Sequence, residues 1–249
     1  MNPRWVFLCL LTGFGLTWPA YGQEPDLRGI WQVRNTANIN LEGHPALDGM
    51  EASASHVVDP EDGRIPYLPS AVATRDENYR NRETADPQTL CFQPGVPRAT
   101  YVPEPFQIFQ EPGRVFIVYQ HVHAYRIVYT DGREHYDPGI EFYMGDSRGH
   151  WEGSTLVVDV RNFKEETWLD GAGNYHSTAL RVVERYTPTS TERMVYEATI
   201  EDPEVFERPW TIRMELERLP EPESQLLEHE CERDETGEWR HPPELGGPG

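Results

Sequence analysis

Lysine is almost missing from this sequence. Lys164 is the single one, and the other positive side chains that are charged at neutral pH are arginines. Cations are also outnumbered: 22 Lys and Arg stand against 42 Asp and Glu, a formal net charge of -20. A surface of that sign repels phosphate backbones and anionic headgroups, which excludes nucleic acid and acidic lipid as main partners. Several chemical signatures are absent too. There is no glycine-rich phosphate loop, no dinucleotide fingerprint and no His-Glu-x-x-His. Phosphoryl transfer, nicotinamide redox and zincin chemistry therefore have no footing, and no cofactor is expected. Internal repeats are lacking, helical periodicity is scarce, and no apolar run reaches the roughly 20 residues of a helical membrane span. Cysteine is sparse, with only Cys9, Cys91 and Cys231.

The N-terminus carries a different pattern. Arg4 supplies a positive start, Trp5 to Leu16 is uncharged and apolar, and Ala20-Tyr21-Gly22 puts small residues where a signal peptidase reads. The pattern predicts a signal peptide over residues 1–22, cleavage before Gln23, and a periplasmic or secreted product that does not insert in the membrane after cleavage. An uncleaved anchor would need a longer apolar run. Val6-Phe7-Leu8 before Cys9 lacks the small residues of a lipoprotein signal. In an oxidising compartment the two remaining cysteines, Cys91 and Cys231, predict a disulfide. The alternative is two separate buried thiols, because neither has the Cys-x-x-Cys or Cys-x-His spacing of a metal site.

Residues 23–240 read as a single β domain, and the Pro/Gly-rich residues 241–249 as a disordered tail. Gly29-Ile30-Trp31 opens a first short strand. Residues 35–112 are rich in Pro, Asp, Asn and Gly and read as a long irregular wrap, with one short helix around Ala71–Arg82. Residues 113–232 carry the main sheet. Arg114–Tyr129, Thr155–Val160, Thr178–Thr187, Met194–Glu201, Trp210–Arg218 and Leu226–Glu232 alternate in polarity or are rich in β-branched residues, and turn residues bound them. The fold class is all-β: an antiparallel barrel or a strongly bent sheet with an N-terminal wrap.

Gly29-Ile30-Trp31 is similar to the Gly-x-Trp that opens lipocalin-type barrels, and Gly149–Val158 is similar to a hairpin of lipocalin-like bacterial proteins. Most of the mature chain resembles a family of uncharacterised exported proteins of Proteobacteria and Acidobacteria. The matching stretches are Pro25–Trp31, Asp62–Tyr67, Pro94–Arg98, His121–Arg126, Met144–Val158 and Trp168–Asp170. This resemblance implies export and a lipocalin-like barrel with a cup for a small apolar ligand. It implies no activity.

The sharpest local feature is His121-Val122-His123. On a strand both imidazoles share a face, and Tyr119 and Tyr125 extend them into a Tyr-His-His-Tyr stripe flanked by Ile117 and Ile127. Gly113 and Gly132 around the pair resemble a cupin metal motif, but Ile127 and Val128 stand where the glutamate belongs. A metal would need a third ligand from His135, His176, Asp146 or Glu184, none at a diagnostic spacing, so no metal is assigned. The competing reading makes both histidines structural.

Met144–Trp151 reads as a tight loop, with Asp146 and Ser147 capping backbone amides. Alternatively Asp146 orients a histidine at a pocket mouth as an acid–base dyad. Ser147 lacks the strand–turn–helix setting in which Gly-x-Ser-x-Gly makes a nucleophile. Trp168-Leu169-Asp170-Gly171 is a turn, or else places Trp168 to stack on a ring with His176 as acid or base. Arg126 and Glu184 are charges on apolar strands. They pair with each other or face the pocket, unless Glu184 turns outward to Arg181 or Arg185.

Two function classes follow. One is a binding protein for a small aromatic, apolar or glycosidic ligand, lined by Tyr119, His121, His123, Tyr125, Arg126, Trp151 and Trp168. The other is a cofactor-independent acid–base enzyme, a lyase, hydratase or isomerase. There His121 or His123 is the base, Asp146 orients it, and His176 or Glu184 is the acid. A metal-dependent version on His121 and His123 ranks third.

Overall fold

A computed structural model of the chain describes residues 25–46, 52–222, 224–228, 231–233 and 239–240. The leader over 1–22 and the tail over 241–249 lie outside the described residues.

Alternation sets the architecture. The strands are β1 (Gly29–Gln32), β2 (Val57–Asp59), β3 (Phe106–Glu111), β4 (Arg114–Tyr119), β5 (Tyr125–Tyr129), β6 (Asp146–Glu152), β7 (Thr155–Arg161), β8 (Arg181–Pro188), β9 (Arg193–Glu201) and β10 (Trp210–Arg218), with a small hairpin of β11 (Glu232–Arg233) and β12 (Trp239–Arg240). Along β7 to β10, Leu156, Val158, Val160, Val182, Tyr186, Met194, Tyr196, Ala198, Ile200, Trp210, Ile212 and Leu216 are buried at every second position. That period of two puts one apolar face of each strand inward.

Nine strands close on themselves in the order β1-β3-β4-β5-β6-β7-β8-β9-β10. Closure runs through Trp31 opposite Arg218 and Gln32 opposite Glu217. The other half of that edge of β10 takes β2, through Thr211 and Ile212. A barrel leaves no long unpaired edge. The all-β barrel is the expected class, but its details depart from the eight-stranded up-and-down form of lipocalins: it has nine strands, and β5 and β6 run parallel. The ligand cup that form implies is filled by protein. Trp31, Tyr119, Tyr186, Tyr196 and Trp210 are fully buried in the core.

Several elements differ from those read in the sequence: β8 starts at Arg181 and not at Thr178, and β2 lies inside the wrap. Arg114–Tyr129 is a hairpin, with a 3-10 turn at His121–His123 between β4 and β5. Val122 (φ 43) and His123 (φ 50) enter the left-handed region there, and no Gly or Pro announces the turn. Phe106–Glu111 is a full barrel strand, hidden in the sequence by Pro103, Pro105 and Pro112, so the irregular wrap ends before it. Asp146–Glu152 is a strand, where a tight loop was expected over Met144–Trp151. Residues 224–228 are not strand, and Leu226–Glu232 contributes only the start of β11. The helix in the wrap is real. It spans Val72–Ala85, buries no side chain, and is the one α-helix among the described residues.

Candidate functional site at the β5–β6 seam

Parallel neighbours cannot be joined by a tight turn; the chain has to cross over. Here the crossover is Thr130–Gly145, laid against the outer wall. The strands it joins pair only at Tyr129 and Arg148. Gly149 lets them approach: a Cβ there would sit 2.6 Å from Val128 Cγ1. Asp146 staples the crossover down. Its carboxylate accepts from Arg148 Nη1 at 2.5 Å and from the Tyr136 N–H at 3.0 Å, and His135 Nδ1 lies 3.0 Å away. Farther along, the Phe142 N–H donates to Asn162 O and the Lys164 N–H to Phe142 O, at 2.9 and 3.1 Å.

The crossover leaves a cleft on each side. One, of about 380 Å³, is walled by the rings of Tyr125, Tyr129, Tyr136, Phe142 and Tyr143, with Arg126, Ser147 and Lys164 among its polar groups. The wrap closes its rim. Phe92 stacks on Tyr143 with centroids 5.6 Å apart. Phe92 follows Cys91, which is disulfide-bonded to Cys231 with Cα atoms 5.9 Å apart. The second cleft, of about 530 Å³, lies over β6–β8 and holds Arg133, His135, Arg148, Asp159, Arg161 and Arg181. A third, of about 450 Å³, sits under the helix, between Tyr79 and Arg82 on one side and Asn40 and His44 on the other.

Behind the seam a polar network crosses the barrel interior. Arg126 donates to both oxygens of Glu184, at 2.5 and 2.9 Å, to Tyr119 at 3.0 Å and to Tyr186 at 2.7 Å. Tyr186 and Tyr196 donate in turn to Glu184 Oε1, at 2.9 and 2.8 Å. Burial, then the Glu184 charge, pushes the Tyr196 hydroxyl well above the phenol range. Burial likewise raises Tyr186, so both remain donors. Glu184 therefore pairs with Arg126 inside the barrel and not with Arg181 or Arg185 on the surface.

The structure brings together fewer of the expected residues than the sequence grouped. The Tyr-His-His-Tyr stripe does not form, because the turn at Gln120–Ala124 breaks the strand. Tyr119 points into the barrel, whereas Tyr125 is 64% exposed on the outer wall. His121 is buried with Nδ1 3.4 Å from Glu104 Oε2, and His123 is exposed. Asp146 does hold a histidine, but it is His135. His176 is 2% exposed; Thr167 Oγ1 lies 2.7 Å from its Nε2 and Ser177 O 2.8 Å from its Nδ1, and burial lowers its pKa. His176 and Glu184 are thus sealed from any ligand outside the barrel, which removes both as acids.

Trp168 is buried in a bridge with Tyr175, so it offers no open face for stacking, and Trp151 packs against the core. Asp170 is a clasp: it accepts from the Leu41 N–H at 2.8 Å and Asn174 Nδ2 at 2.6 Å, and burial raises its pKa to about 6. Residues 145–149 spell Gly-x-Ser-x-Gly, yet Ser147 lies on β6 with a buried Oγ and is no nucleophile elbow. Among the described residues no group of three His, Cys, Asp or Glu side chains is placed to hold a metal.

Of the expected ligand-binding residues, Tyr125 lines a cleft, and Arg126 borders it while its guanidinium is turned into the barrel. Sequence reasoning missed Tyr136, Phe142 and Tyr143. The available signal was their density in one inter-strand loop, since large apolar side chains in a loop mark a binding surface. No family model, curated protein or solved structure matches the chain.

Proposed function

We propose that the protein is an exported small-molecule-binding barrel whose ligand sits outside the wall, in the aromatic cleft over the β5–β6 seam. One observation carries this reading. Tyr125, Tyr136 and Phe142 are exposed large side chains of a strongly acidic molecule, and they converge with Tyr129 and Tyr143 on one cleft of about 380 Å³. Exposed apolar side chains scattered singly need no explanation; a converging set does, and the volume is that of a small-ligand pocket. Ring faces suit a flat apolar, aromatic or glycosidic ligand. Export is supported by the leader pattern and by the Cys91–Cys231 disulfide, a bond favoured in oxidising compartments.

Binding is better supported than acid–base chemistry. His135, the histidine held by Asp146, has a buried Nε2 that faces Asp159 Oδ2 at 3.8 Å. It anchors the crossover to the barrel and presents no open nitrogen to a substrate. The test uses the neutral fluorescent ring probe N-phenyl-1-naphthylamine. Saturable binding at one site per chain is expected, weakened about tenfold or more in Tyr143→Ala and Phe142→Ala at unchanged melting temperature. Identical titrations for wild type and both variants would remove the cleft as the site.

A further inference from the structure

We infer that the seam cleft takes a ring-bearing carboxylate, with the Lys164 ammonium as the group that pairs with the acid. The inference rests on the cleft proposed above and adds the charge of its ligand. Lys164 is the only lysine in a chain with 42 acidic residues. Among the described residues its ammonium nevertheless meets no carboxylate; it lies 4.8 Å from the Tyr143 ring centroid. Its backbone is fixed, because the Lys164 N–H donates to Phe142 O. The side chain is half-buried in the cleft wall.

The other charges around the cleft are committed or screened. Arg126 is locked to Glu184 in the barrel interior. Asp146 is taken up by Arg148, His135 and the Tyr136 N–H. Glu141 also lines the cleft but is exposed, so water and salt screen it. Lys164 is therefore the wall cation of this cleft left without a carboxylate of the protein.

Its position beside a ring platform gives the ligand chemistry. A cation resting on the face of Tyr143 stays at the edge of the stacking surface. A flat ligand lying against the aromatic wall beside Tyr143 would bring a carboxylate to the ammonium. The molecule as a whole carries a net charge of -20 and repels anions, so an acid is retained only where a local cation offsets that field.

The test is a calorimetric titration of the full chain with three matched probes: 2-naphthoate, 2-naphthamide and 2-naphthylmethylamine. Naphthoate is expected to bind roughly tenfold more tightly than the amide, and the amine most weakly. Lys164→Gln should bring naphthoate to the amide's affinity and leave the amide unchanged. Lys164→Arg should keep most of the difference, and added salt should erode it. Equal binding of acid and amide, no effect of Lys164→Gln, or a preference for the amine overturns the carboxylate and leaves the cleft standing. If none of the three binds, or Tyr143→Ala weakens none, the cleft itself fails and the inference with it.

Discussion

A charge inside a barrel of aromatic rings persists only if its polar atoms are met. Glu184 receives Arg126, Tyr186 and Tyr196, and Arg126 also reaches Tyr119. Removing one partner strands the other, which costs about 3–5 kcal/mol for a buried pair. Replacing both with apolar residues leaves no stranded charge. Arg126→Met and Glu184→Leu alone should therefore each lower stability by that amount in urea unfolding. The double variant should recover well over half of the summed loss; additive losses would mean that the two charges are not coupled. The sequence offered this pair as one reading, because Arg126 and Glu184 each interrupt an apolar alternation in phase with its buried positions, but it left an outward Glu184 on Arg181 or Arg185 equally open. The tyrosines around them were not. Tyr119 looks from the sequence like part of a pocket stripe with Tyr125, and only the turn between them sends one inward and the other to solvent.

At the scale of elements, the two least readable segments meet at the seam. β6 presents Ser147, Gly149 and Trp151 inward and Asp146, Arg148 and His150 outward, as its pairing with Val160, Val158 and Leu156 of β7 requires. Ser147 and Gly149 leave two of the three inward positions without an apolar side chain, so the strand resembles a loop. Their size has a cause in the neighbour: β5 closes in on Gly149 through Val128 and Thr130. Gly149→Ala should push a methyl group to within 2.6 Å of Val128 Cγ1 and 3.1 Å of Thr130 Cγ2. The expected cost is about 1–3 kcal/mol, as for overpacking elsewhere, with faster amide exchange along β5 and β6 than along β8 and β9. An unchanged melting temperature would show that β5 and β6 are not so closely apposed. The hairpin turn at His121–His123 was hidden for the opposite reason: β-branched and aromatic residues run through it, and nothing in the sequence breaks the pattern.

For the whole molecule, the disulfide is the longest-range covalent constraint. Cys91 and Cys231 are separated by 140 positions in sequence, and closing such a loop is worth up to about 5 kcal/mol in the chain-entropy model. It also ties Phe92, and through it Tyr143, to the C-terminal segment. Reduction, or Cys91→Ser with Cys231→Ser, should lower the melting temperature and weaken N-phenyl-1-naphthylamine binding together. A drop in melting temperature with intact binding would separate the clasp from the cleft, and no change in either would make the bond dispensable. The sequence by itself determined a β protein with the residues of most strands, because a period-two pattern is local and each run declares its buried face. It also pointed to the cysteine pair and to a helix in the wrap, and it held the Arg126–Glu184 pair as one of its readings. Tertiary structure alone decided which strands are neighbours: β10 meeting both β1 and β2, β6 lying parallel to β5, and a crossover standing outside the wall. Alternation states which way a side chain faces and is silent on what it faces. The aromatic cleft exists only because of one parallel joint between strands distant enough to need a crossover.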